Sequence, residues 1–373
     1  MKVSILDTRC STRTSMPAGV VTRPMAVRFE LVDRLESLRE EWASLAEQGR
    51  NIFATWEFAT TWWEHFGAGR RLVTVGCRDS GGELFAILPL YLWRRRPLRV
   101  LRFLGNGAGD ILGPVCRPER SDHAAWALRR LLEVAPWDWD VFVGENLPGE
   151  QDWSRQLGGH VIRREGNPVL RTPDGFEGFL ARRTPNFRSQ VRRGERRLAR
   201  RHHVRFRLSD STTLDADLNA LFRLHQARFG EQSAFGGGRT AFHCTFARQG
   251  HERGWLRLWI LELDGRPVAA QYGFRFGGVE SFYQSGRDPE LRHESLGMVL
   301  LSHAIRTAAD EGVREFALLR GHEPYKYRFA TDDRGLDSIC VTRGPAGAAA
   351  LAFMKFVRSS PNARKLLRGP LDI

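Results

Sequence analysis

Lysine is nearly absent from this sequence. Its 57 basic residues are arginines apart from Lys2, Lys326, Lys355 and Lys365; set against 43 acidic residues they give a formal charge of +14. Cysteine is scarce and scattered: Cys10, Cys77, Cys116, Cys244 and Cys340 form no C-x-x-C pair. An odd, dispersed set excludes a disulfide scaffold and a cysteine-rich zinc site, and it points to reduced thiols in a cytoplasm. No run of 18 apolar residues occurs, which excludes an apolar helical membrane span. The first 25 residues, 1–25, lack the apolar core and cleavage site of a leader. They read as a flexible tail, or as sequence upstream of a start at Met25.

What remains is ample for two cores. The chain has 373 residues, 42% of them hydrophobic, with 23 Phe and 11 Trp, and that length favours two domains. The arginine excess has two readings. One is the codon bias of a GC-rich genome. The other is a polyanionic partner: nucleic acid, a nucleotide-linked sugar, a phosphate-bearing cofactor or a membrane face.

The two halves repeat one order of elements. In the first, "VRFELVD" alternates like a strand, 34–48 and "TWEFATTWWEHFG" are helical, and "RLVTVGCRDSGGELFAILPLYLW" is a hairpin about D-S-G-G. "LRVLRFLG" is a strand, "ERSDHAAWALRRLLEVAP" a helix and "WDWDVFVGENL" a strand. In the second, "VRFRLSD" is a strand, followed by two helices, the first capped at Ser211 and Thr212. A hairpin turning at Asp264-Gly265, the strand "VESFYQSG", the helix "SLGMVLLSHAIRTAADEG" and the strand "VREFALLRG" complete it. Two copies of one α/β unit are the economical explanation.

The copies differ at one helix start. "ESLGMVLL" carries Gly297 where "SDHAAWAL" has no glycine. A glycine in the first turn costs about 1 kcal/mol relative to alanine, which is tolerable where something must approach the backbone. Exposed amides and the helix dipole make such a start an anion site, and Arg292, His293 and Ser295 lie in the polar turn before Leu296 and Gly297. The plainer alternative is a capped helix with a close-packing glycine. A second dense stretch, "RGHEPYKYRFA", follows the "EFALL" strand, at the end of a sheet where ligand crevices open. Acyl transfer to an amine needs a base and an acid. Glu323 or His322 can serve as base and Tyr325 or Tyr327 as acid, with Lys326 holding a phosphate or carboxylate; an extended loop sets Glu323, Tyr325 and Tyr327 on one face and turns Lys326 away. The alternative is a surface loop with a Glu–Lys pair.

Arg292-His-Glu-Ser-Leu-Gly297 resembles the R/Q-x-x-G-x-G/A pyrophosphate turn of the GNAT acetyltransferases, with Ser295 in place of the middle glycine. "LELDGRPVAAQYGFRF", "FYQSGRDPEL", "SLGMVLLSHAIRTA", "REFALLRGHEPYKYRFA" and "TPNFRSQVRRGERRLAR" together resemble the CelD-type acetyltransferases of polysaccharide and cellulose biosynthesis, a tandem-GNAT family. The likeness spans roughly 27–345 and is strongest over 180–330. Its layout is shared with the Fem-type aminoacyl transferases. It implies an α/β (α+β) fold of two GNAT-like units, each a mixed central sheet flanked by helices. The expected division is a degenerate unit over 26–172, an acyl-CoA-binding unit over 173–345 with a basic helical arm at 176–203, and a helical tail at 346–373. It also implies that acyl-CoA lies along the strand edge Ser281 to Gly286, past Tyr283, Gln284 and Ser285. Glu323, Tyr325 and Lys326 fall on the family's G-x-E-x-Y-K pattern, and His225 on its Leu-His pair. His225 and His243 lie on the helices that wall the acceptor site in GNAT folds; packed histidines are the plainer reading of both.

Between Arg182 and Arg207 there are 11 arginines and one glutamate. Phe187, Val191 and Leu198 form one apolar stripe, leaving Arg188, Arg192 and Arg196 on a basic face. That face is either solvated or an arm for an anionic acceptor. It lacks the interleaved aromatics that stack nucleic-acid bases, and peripheral membrane contact stays open. The expectation is a cytoplasmic acyltransferase that uses acetyl-CoA or another acyl-CoA and no metal. It acylates an amine or hydroxyl of a sugar or polysaccharide precursor within a ternary complex. The alternatives are a Fem-type transferase using aminoacyl-tRNA and a non-catalytic anion-binding module.

Overall fold

A computed structural model describes residues 6–7 and 27–359. It divides into two compact units. One contains 27–49, 53–164 and the segment from Leu336; the other contains 50–52 and 165–335. Leu6–Asp7 pair with Phe29 and Arg28; the rest of the expected tail 1–25 lies outside the described residues, as does the end of the expected tail 346–373 beyond the helix Gly344–Ser359.

In the first unit the hairpin strand is bent. Leu84–Leu88 and Leu90–Arg95 are separated only by Pro89, which has no N–H for the ladder. The two pieces therefore join different sheets, one of five strands and one of six. Leu98–Phe103 pairs in parallel with Val141–Pro148, and the helix Ser121–Val134 makes the crossover that a parallel pair requires. The helix buries Ala124, Leu128 and Leu131 against Phe85, Leu88 and Leu90.

The second unit is a seven-stranded sheet. In spatial order its strands are Val204–Leu208, Leu256–Leu263, Arg266–Phe276, Val279–Arg287, Glu315–Ala317, Pro168–Arg171 and Asp332–Asp333. The hairpin turns at Asp264-Gly265, with φ of 53° and 81°. Two positive values make this a turn whose twist matches the strands. On one sheet face the helix Leu296–Asp310 buries Leu296, Val299 and Leu300 against Trp259, Leu261 and Val268, and Leu198 of the basic helix Pro185–Ala199 completes the cluster. On the other face lie Leu214–Phe229 and Arg239–Glu252. There Gly286 lets a helix touch the sheet, since a Cβ on it would stand 2.5 Å from the His225 backbone nitrogen.

The unit boundaries differ from a cut at 172/173. Pro168–Arg171 lies in the second unit's sheet between Glu315–Ala317 and Asp332–Asp333, and Leu336–Thr342 lies in the first unit's sheet beside Val141–Pro148. Each unit thus takes an inner strand of its sheet from beyond the apparent border. Nothing in "PVLR" or "LDSICVT" marks which sheet each completes. The helix expected to be capped at Ser211 and Thr212 starts at Leu214, because Asp210 takes the Thr212 and Thr213 amides.

Candidate functional site

Val279–Arg287 pairs in parallel with Glu315–Ala317 only over Val279–Ser281. Past Ser281 no strand joins that edge among the described residues, so the sheet opens along the expected segment. On its other edge the register slips between Tyr272 and Gly273, leaving Tyr283 as the bulged residue. Such a bulge re-aims backbone groups at one point of an otherwise regular ladder. Gln284 Oε1 accepts from His225 Nε2 at 3.3 Å on the helix face. Ser285, paired with Gln271, points to the opposite face.

The strand then leads to the helix Leu296–Asp310. Ser295, its N-cap, adopts φ 54° and gives no side-chain cap. Its carbonyl accepts from Met298 and Val299, while the amides of Leu296 and Gly297 meet no acceptor among the described residues. Leu296 is buried, its backbone included, so the exposed residue at this helix start is Gly297. Gly297 is exposed, and the nearest atom to a Cβ placed on it is Arg287 Cδ at 3.9 Å. The glycine is therefore not required by packing. Arg292 donates to His293 Nε2 at 3.2 Å, and both are exposed in a short turn, 292–294.

Sequence reasoning missed Arg287, although an arginine closing a strand just before a polar turn was a readable signal. It stands beside the helix start and beside Arg228, in the last turn of Leu214–Phe229. Burial and the Arg287 charge lower the Arg228 pKa, with Tyr325 and Glu323 acting in the opposite sense. Neither arginine has an ion-pair partner among the described residues.

The 320–330 stretch is not extended. Pro324 opens a helix, Pro324–Phe329, with Glu323 as N-cap; proline's fixed φ suits the first helical position. Tyr325 and Tyr327 therefore point apart rather than together. Tyr325 is half-buried, its ring 6.3 Å from that of Phe282 at the opened edge. Burial and the neighbouring Glu323 raise its pKa, so the phenol keeps its proton. Tyr327 is turned elsewhere: its hydroxyl donates to Asp333 Oδ2 at 2.7 Å and lies 3.2 Å from His322 Nδ1. Burial, helped by the Asp333 bond, raises Tyr327 to about 12. His322 Nε2 accepts from the Gly166 amide at 3.0 Å, which leaves this histidine no free nitrogen for catalysis. Lys326 does not point outward. It is 4% exposed, donates to the Arg320 carbonyl at 2.6 Å and pairs with Glu323 at 3.1 Å. Helical geometry at i, i+3 turned it inward, so it cannot reach out to a substrate phosphate.

His225 is buried, with Nδ1 2.9 Å from Ser233 Oγ. Burial lowers its pKa to about 4, the Gln284 contact only partly offsetting this. His243 is also buried, among Phe235, Phe242, Tyr272 and Tyr283, and burial lowers it to about 3. Both imidazoles are thus neutral at pH 7.

The basic arm forms two helices, Gly175–Ala181 and Pro185–Ala199, and Phe187, Val191 and Leu198 are buried as the stripe predicted. Its arginines divide. Arg188 donates to the Ala181 and Arg183 carbonyls, and Arg192 pairs with Glu177 at 3.0 Å. Arg197 and Arg201 both grip Glu294, at 3.1 and 2.9 Å, and Arg197 also donates to the His293 carbonyl. The arm is therefore fastened to the turn before Leu296. Arg193, Arg196 and Arg200 are exposed, with no side-chain partner among the described residues. Those residues contain no cluster of three metal-ligating side chains, and no helix among them is long and apolar enough to cross a membrane.

Residues 185–327 match the family model for an acetyltransferase (GNAT) domain. The matched segment contains the opened edge, the glycine helix start, Glu323 and Tyr325. Solved structures similar in fold include FemX, at 10% identity and a TM-score of 0.61, covering 85% of this chain and 98% of that one. The C-terminal domain of a putative lysylphosphatidylglycerol synthetase from Agrobacterium fabrum aligns at 11% identity and a TM-score of 0.53, covering 86% and 97%. L-PGS from Bacillus licheniformis aligns at 11% and 0.52, covering 87% and 96%. No curated protein matches the chain. The fold is α/β in two compact units, and the second contains an acetyltransferase (GNAT) domain.

Proposed function

We propose that the second unit transfers an acetyl or other short acyl group from acyl-CoA to an amine or hydroxyl of a sugar or polysaccharide precursor. The observation that carries this reading is Gly297: an exposed glycine that packing does not require, beside two amides without acceptors and Arg287. A donor pyrophosphate fits there, with Arg292 and His293 at its rim. The pantetheine arm then adds to the opened edge past Ser285, Gln284 and Tyr283 as an extra strand, and amides at the bulge meet the thioester oxygen as it becomes an oxyanion. The acceptor attacks the thioester carbon directly and the C–S bond breaks. Glu323 takes the nucleophile's proton, and Tyr325 protonates the leaving thiolate. The acceptor class comes from the resemblance to the CelD-type enzymes.

One feature favours a second reading. The exposed Arg193, Arg196 and Arg200 suit a large polyanion, as an aminoacyl-tRNA donor would be. Calorimetric titration with acetyl-CoA and with charged tRNA separates the two. The acyl-CoA reading expects one acetyl-CoA per chain, since the first unit's helix Ser121–Val134 carries Asp122 in its first turn and no glycine. Tight tRNA binding without acetyl-CoA binding overturns it. Acetyl-CoA binding without thiol release across a panel of amines and amino sugars leaves an anion-binding module.

A further inference from the structure

On the helix-facing side of the bulge, two buried polar atoms have no hydrogen-bond partner among the described residues: Tyr272 Oη and His243 Nδ1. Tyr272 is 0% and His243 1% exposed. Their rings are neighbours, with centroids 5.9 Å apart, and the bulged Tyr283 lies within 5.8 Å of both. Phe235 stands between the two histidines, 4.8 Å from His225 and 4.9 Å from His243. Tyr272 is directly opposite Gln284, the residue that contacts His225. The two orphaned atoms therefore belong to the face of the sheet that carries His225, one residue from the point where the strand is kinked.

Leaving a buried donor or acceptor unpaired destabilises the fold, and folded proteins leave few such groups. Two on neighbouring rings at a bulge point to a ligand. We infer that Tyr272 Oη and His243 Nδ1 recognise an uncharged, hydroxyl-bearing part of the acceptor. The walls are aromatic rings, and both tips are neutral dipoles. A charged group would lose its hydration there without a counter-ion, which strongly disfavours its entry. A hydroxyl instead supplies the donor and the acceptor that the pair lacks. Its role as acceptor rests on the acyl-transfer reading; its binding does not.

Tyr272→Phe keeps the ring and removes only the orphaned hydroxyl. The test uses the full chain, with glucosamine, N-acetylglucosamine and glycerol as probes in saturation-transfer NMR, and without donor. The wild type is expected to bind at least one probe, and Tyr272→Phe to weaken that probe about tenfold, the size of one buried hydrogen bond. Its melting temperature should hold or rise, because the change leaves no further group unpaired. His243→Phe should weaken the same probe. A melting temperature several degrees lower in Tyr272→Phe means that the hydroxyl serves the fold through a buried water, and overturns the inference. So does unchanged probe binding, or a wild type that binds none of the three. If wild type and variant alike fail to bind acetyl-CoA while the probe result holds, the donor reading fails and this site stands.

Discussion

Replacing Gly297 by valine separates binding from packing. A Cβ at this position meets only Arg287 Cδ, at 3.9 Å, an ordinary contact. The backbone there is not in the left-handed region, so a β-carbon adds no strain. Valine and glycine both trail alanine in helices, glycine by about 1 kcal/mol and valine by roughly 0.6. The change in stability is therefore small, within about 0.5 kcal/mol, or about 1–2 °C in melting temperature. Binding should behave differently. The branched side chain fills the approach to the helix start at the exposed Gly297. Losing even one charge-assisted hydrogen bond of about 1.5–3 kcal/mol weakens acetyl-CoA by about 10- to 100-fold. Gly286→Ala is the control. Its Cβ falls 2.5 Å from the His225 nitrogen and 2.7 Å from Leu224 Cβ, so it should lower the melting temperature markedly. Differential scanning fluorimetry and calorimetric titration read both quantities. If Gly297→Val melts as low as Gly286→Ala, or binds acetyl-CoA like the wild type, the reasoning fails.

Glu323→Gln should lower the turnover number about 10²–10⁴-fold, the usual scale for general acid–base catalysis, with acetyl-CoA affinity unchanged; normal turnover removes Glu323 as base and leaves His225 to be tested. Tyr325→Phe should slow the chemical step, whereas Tyr327→Phe should chiefly cost stability by breaking its bond to Asp333; equal kinetic losses would contradict the divergent geometry. Changing Arg193, Arg196 and Arg200 together to Gln should raise the KM of an anionic acceptor and flatten its salt dependence, and an unchanged salt response marks them as solvated. His225 and His243 have folded pKa values of about 4 and about 3, below the ordinary value of 6.5. The unfolded chain thus takes protons that the folded one refuses, so stability is full above about pH 6.5 and falls as the pH drops toward 4. His243→Phe should make the melting temperature fall less steeply over that window, and an identical slope refutes a buried neutral His243.

The order of elements, the Asp264-Gly265 turn and the stripe of Phe187, Val191 and Leu198 were all legible along the chain. Each rests on residues close in sequence: a period of 2 or 3.6, or two residues that tolerate positive φ. Gly297 was legible for the same reason, as a glycine out of place in a helix start. Whether it serves packing was not, because that depends on what surrounds it in space. The helix at Pro324–Phe329 was announced by Pro324, yet the alternation of Glu323, Tyr325 and Tyr327 read equally well as an extended loop. Only the fold decided that Lys326 turns inward to carbonyls at Leu319 and Arg320 and that Tyr327 turns to Asp333. The exchange of Pro168–Arg171 and Leu336–Thr342 between the units, the bulge at Tyr283 and the nearness of Arg228 to Arg287 were likewise beyond local reading. Strand partners and charge neighbours are set by long-range packing, and no periodicity within a segment carries the identity of the segment it will meet.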